Sequence, residues 1–138
     1  MISVLSTTGK YILQPSLLDM HRNSLEWLSA TMLWKQELSF FKKLLSAYAY
    51  GLTELDDKKK VDHFDNLIIY YDGELVDLLR KKLREHESRL ATMLQQENES
   101  DTQYYKEHES LMKELQAFDS SFNELKHDFY RFIELKMG

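Results

Sequence analysis

An all-α fold, an elongated antiparallel three-helix bundle, is what this sequence predicts, and three observations carry that expectation. Gly and Pro are scarce, with four glycines and one proline in 138 residues, too few to punctuate the turns of a many-stranded sheet. An apolar seam runs along the last third of the chain at Leu111, Leu115, Phe118, Phe122, Leu125, Phe129 and Phe132, alternating steps of four and three as one face of a helix does. Two short polar stretches, near 51–57 and 97–101, divide the remainder into pieces of about 35–40 residues. Connections that short make consecutive helices antiparallel neighbours.

Residues 1–15 carry no helical stripe and are expected to form an arm, either flexible or packed on the bundle. The first helix is expected at about 16–50, with Ser16 as its N-cap and Asp19 reaching back to free amides. Its inner stripe reads His21, Leu25, Leu28 and Met32, then Trp34, Leu38, Phe41, Leu45 and Tyr48 after a small phase shift. Gly51 fits a left-handed closing residue. The second helix, at about 54–96, has N-cap candidates at Thr53, Asp56 and Asp57. It places Phe64, Ile68, Tyr71, Leu75, Leu79, Leu83, His86, Leu90 and Met93 inward. Asp77, Lys81, Glu85 and Arg89, four residues apart, form a charged ladder that marks a solvated face. Gly73 is the single glycine inside a helix, at a cost of about 1 kcal/mol relative to alanine. Its height near Ser120, Ser121 and Trp34 suggests small residues making room for the indole. Ser100 and Gln103 form a capping box for the third helix, at about 101–136.

Composition narrows the function. The chain has no cysteine, which removes disulfides, thiolate nucleophiles and cysteine-ligated metals. Hydrophobic, charged and aromatic shares of 43%, 30% and 12% describe a folded domain. A formal net charge of −5 disfavours nucleic acid and anionic membrane surfaces as partners. No signal peptide or membrane-length apolar run is evident, so a cytoplasmic location is expected. There is no glycine-flanked serine elbow and no phosphate-binding loop, so neither an enzyme nor a cofactor is implied.

Two features remain. Because the second and third helices run antiparallel about a turn near Glu97, His86 and His108 lie at one height in the seam, and His21 falls within about a turn of them. Three inward imidazoles are a candidate metal or small-ligand set, although no carboxylate is placed beside them: Glu87 and Glu109 are expected to point off the seam. Such histidines also pack as hydrogen-bonded core rings, with Tyr104 and Tyr105 near His108. The lone Glu-x-x-His, Glu124 to His127, flanks the seam, whereas di-iron bundles need one on each of two helices. The second feature is surplus apolar surface, chiefly Trp27, Phe40, Leu44, Ile69 and Tyr70, which either packs at the margins of a broader core or points to a protein partner or a homo-oligomer. The functional expectation is a non-enzymatic interaction or scaffold protein; a metal- or ligand-binding bundle centred on His21, His86 and His108 is the alternative.

Overall fold

The computed structural model describes residues 15–96 and 102–137, and among these every element is helical. Helix α1 spans Pro15–Ala49, α2 spans Leu55–Tyr70, α3 spans Asp77–Gln95 and α4 spans Thr102–Met137. A π-helical turn, Tyr71–Val76, joins α2 to α3 without a break. The backbone stays right-handed helical through Tyr70, Tyr71 and Asp77, so the described residues form three long helices, the number the turn signals predict. The arm at 1–14 and the capping box at Ser100 lie outside the described residues.

Several local expectations are corrected. α1 is already helical at Pro15, where a fixed φ suits a first turn, so Ser16 lies inside the helix. Gly51 does not adopt a left-handed φ; the chain turns instead through a Leu52 N–H donating to the Ala49 carbonyl at 3.2 Å. Glu54 is the N-cap of α2 and makes no side-chain cap bond. Asp57, a cap candidate, is buried and accepts a bond from Lys136 Nζ on α4 at 2.8 Å. Nor does Gly73 make room for Trp34, since a Cβ added to it would meet nothing within 4 Å. The glycine instead sits in the π turn, where one extra residue loosens the helix. Lys35 braces that turn, donating to the Asp72 carbonyl at 3.4 Å and pairing with the Asp72 carboxylate at 3.0 Å and with Asp77.

The contacts divide the chain into two compact units. The first consists of Met1–Thr31 with Leu79–Gln116. Here α1, α3 and α4 pack around Leu17, Leu90, Ala91, Met93, Leu94 and Tyr104. α3 and α4 run antiparallel, since Lys82 pairs with Glu114 while Arg89, further along α3, pairs with the earlier Glu107. On the part of α1 in this unit the buried positions are Leu17, His21, Ser24 and Thr31. Leu25 and Met32, expected in the seam, are 47% and 49% exposed. One residue is about 100° on a helix, so the true face lies one position earlier and takes small polar residues inward. Thr31 is satisfied there, donating to the Leu28 carbonyl at 2.7 Å and accepting from Arg80 at 3.0 Å.

The second unit consists of Met32–Leu78 with Ala117–Gly138, and its core is aromatic. Trp34 lies on Phe118 with ring centroids 4.7 Å apart, and Phe41 lies on Phe129 at 4.8 Å. Phe64 meets both Phe129 and Phe132 at 5.5 Å. Each such ring contributes about 1.5–3 kcal/mol through burial, and favourably offset pairs add about 0.5–1.5 kcal/mol. Lys126, 4.6 Å above the Phe122 ring, also pairs with Glu37 at 3.2 Å. Every position of the seam from Leu111 to Phe132 on α4 is buried.

Candidate functional site

The first unit buries an unusual amount of ionisable chemistry. His86 is fully buried, His108 is 5% exposed and His21 is 9% exposed. Three heptad steps place them: His86 follows Leu79 and Leu83 on the inner face of α3, His108 precedes Leu111 on α4, and His21 follows Leu17 on α1. The height matching around the second turn holds at atomic distance, because His86 Nε2 and His108 Nδ1 are 2.8 Å apart. Tyr104, fully buried one turn before His108, stacks flat on His86 with centroids 4.2 Å apart.

Carboxylates are in reach, against the expectation that none would be. Glu107 Oε1 accepts from His86 Nδ1 at 3.2 Å, and its other oxygen accepts from Arg89 at 2.8 Å. Glu87 faces α1, where its Oε2 accepts from His21 Nδ1 at 2.6 Å. Adjacent positions on a helix differ by about 100°, so His86 addresses α4 while Glu87 addresses α1. A residue beside the seam of one neighbour is thus inside the seam of the other. The Ser24 hydroxyl, buried on α1, helps to keep the Glu87 carboxylate ionised.

The donors and acceptors fix a direction along this chain. A carboxylate only accepts, so His86 Nδ1 carries a proton; in the neutral ring Nε2 is then bare, and His108 Nδ1 must donate to it. The order is Arg89, Glu107, His86, His108, ending on a bare His108 Nε2 that is buried with no partner. Electrostatics agree with neutral rings. Burial lowers the His86 pKa, Glu107 opposing and Arg89 reinforcing, and burial with the neighbouring His86 brings His108 down to about 4. Burial raises Glu87, against the pull of His21 and Ser24, and raises the Tyr104 phenol, with Glu87 and Glu107 adding to the effect.

Only the Glu107 end reaches solvent. Glu107 and Arg89 side chains are about two-fifths exposed, and Glu107 lines an open cleft of about 480 Å³ between α3 and α4 together with Lys82, Glu85, Lys106 and Glu114. The arrangement links a partly exposed carboxylate to a buried imidazole through the His86 ring. Among the described residues no group of three or more histidine or acidic side chains is arranged to hold a metal ion. His86 and His108 come together; His21 is tied to Glu87 instead. Asp77, Lys81 and Glu85 of the charged ladder are exposed and Arg89 is half-buried; its two ends pair across to neighbouring helices, Asp77 with Lys35 and Arg89 with Glu107. Glu124 and His127 are exposed, and His127 accepts from Arg131 at 2.9 Å.

The apolar candidates divide. Phe40, Ile69 and Tyr70 are exposed, at 57%, 49% and 44%, whereas Trp27 and Leu44 are half-buried. Among the described residues, every large apolar side chain classed as exposed lies in the second unit except Leu25. No helix among them is long and apolar enough to cross a membrane. No protein-family model matches the chain, and no curated protein or solved structure is significantly similar to it.

Proposed function

We propose that the chain is a non-enzymatic interaction or scaffold protein of the cytoplasm, whose three helices close into one elongated antiparallel bundle that self-associates as a homodimer. One observation carries this reading: the concentration of exposed apolar side chains on the second unit. On α1, Leu33 and Phe40 are seven residues apart, so they share a helix face, and both are more than half exposed although the inner face of Trp34, Leu38, Phe41 and Leu45 is already buried. Ile69, Tyr70 and Leu78 repeat the pattern on the middle helix, and Tyr130 on α4. Apolar surface left over once a core is complete usually marks a contact with another protein, and a two-fold pair is the commonest closure. The acidic balance, net −5, favours a protein partner over nucleic acid or an anionic membrane.

Sedimentation equilibrium from micromolar to submillimolar concentration tests it. The expected result is a reversible dimer that Phe40→Glu weakens at least tenfold, with the helical circular-dichroism signal unchanged. A monomer at every concentration removes the homodimer. The competing reading, a metal- or small-ligand-binding bundle, draws support from three buried histidines with carboxylates within hydrogen-bond reach. A stoichiometric transition metal in untagged protein, lost in the His86→Ala, His108→Ala variant, would favour that reading instead.

A further inference from the structure

We propose that the His86–His108 pair is an acid-release catch: it holds α3 against α4 with one proton or none to spare, and uptake of two protons breaks it and opens the first unit while the second keeps its fold. The argument is geometric. In the neutral pair the His108 Nδ1–H donates to bare His86 Nε2 across 2.8 Å, and His86 Nδ1–H donates to Glu107. One added proton is accommodated. It enters at His86 Nε2 as the His108 proton shifts to its own Nε2, leaving His86 as an imidazolium that donates to Glu107 on one side and to bare His108 Nδ1 on the other. A second proton has no such place. All four ring nitrogens then bear hydrogen, the two facing N–H groups repel, and two positive rings stand 5.0 Å apart with one carboxylate between them and water.

The surroundings decide the sign. On α3 the pair's neighbours in sequence are Glu87, turned to His21 on α1, and Arg89; from α4 the pair is faced by Glu107 and the Tyr104 ring. Arg89 repels an imidazolium, and Glu107, partly exposed and shared with Arg89, is among the described residues the one acidic group in hydrogen-bond contact with the pair. Both histidines bind protons less readily folded than unfolded. The unfolded chain therefore takes up more protons once the pH drops below the ordinary histidine value near 6.5. Stability contributed by the pair is full above that value, declines between it and about 4, and levels off below. Glu87 acts oppositely, because burial raises its pKa: the folded state gains from its protonation as the pH falls toward 4.5, which offsets part of the loss. Among the described residues of the second unit the buried core is apolar and aromatic apart from Asp57, ion-paired with Lys136, and these include no counterpart to this pair.

Segment-resolved hydrogen exchange on the full chain, corrected for intrinsic rates and run from pH 7.5 to 4, tests the proposal. Segments 79–95 and 102–116 are expected to lose protection at least tenfold more than 117–137. His108→Asn, which keeps a donor toward His86 but cannot titrate, is expected to move the opening down by at least one pH unit. Glu107→Gln, which withdraws the anion that holds the first proton, is expected to move it up and to lower the pH at which the His86 Cε1–H resonance titrates. Equal loss of protection in both units overturns the proposal, as does an unchanged midpoint in His108→Asn. Should that variant not fold, an unmoved His86 titration in Glu107→Gln overturns it equally.

Discussion

The two units of this chain are cut from the same three helices and differ in what their cores admit. One closes on tryptophan and phenylalanine rings and leaves Phe40, Ile69 and Tyr70 outside; the other sets His21, Ser24, Thr31, His86 and His108 among leucines and Tyr104 and, among the described residues, leaves only Leu25 of its large apolar side chains outside. An aromatic core is stabilised by area removed from water and is indifferent to protons. Imidazoles set within a core are stabilised only while each donor finds its acceptor, so the polar part of the first core answers to protonation. The same helical scaffold thus carries one body whose core is apolar and one whose core also holds titratable rings.

The contrast is broken most readily at its strong end. Phe129→Ala removes a fully buried ring that touches Phe41 and Phe64, and should cost about 3–5 kcal/mol in denaturant unfolding. The cost should be the same at pH 7.5 and pH 5.5, and a loss that doubled at the lower pH would remove the distinction between the units. Replacing one partner of the buried network comes next. Glu87→Ala leaves His21 in a largely buried site without its acceptor, and should cost about 1–3 kcal/mol at pH 7.5. Amide exchange should rise in 79–95 before it rises in 117–137, and a loss confined to the second unit would contradict the assignment of the bond. At the weak end, Glu109→Ala breaks a pair with Lys113 whose side chains are both nearly three-quarters exposed, and should change stability by under about 0.5 kcal/mol. A larger effect would mean that this face of α4 is covered in solution.

The aromatic unit was far more legible in the sequence than the polar one. The α4 seam was readable because Phe118, Phe122, Leu125, Phe129 and Phe132 are large and apolar at the spacing of a helix face, so periodicity and burial coincide. On the first half of α1 the two part company. Leu25 and Met32 follow the apolar pattern yet lie exposed, while Ser24 and Thr31 go inside, because the buried face there is specified by hydrogen bonds that hydrophobicity does not register. The steps Leu28 to Thr31 and Thr31 to Trp34 are both of three residues, and that double step hides the phase. His86 and His108 could be brought together from turn symmetry alone. Glu107 was within the same argument, since it precedes His108 by one residue, but a carboxylate beside a seam reads as surface until its partner is known. Glu87 carried no signal at all, because its partner is on a helix more than sixty residues away. The π turn at Tyr71–Val76 was marked by Gly73, whose role as a spacer for Trp34 the open space around it rules out.

The most direct test of this account is the protonation state of the paired rings. Long-range proton–nitrogen correlation spectra of ring-labelled protein at pH 7 should show His86 and His108 both neutral with the proton on Nδ1, and His108 should stay uncharged down to about pH 5, its folded value lying near 4. A charged His108 at pH 6, or a proton on Nε2 of either ring at pH 7, would contradict the directed chain from Glu107 to His108 and with it the conditional character of the first unit.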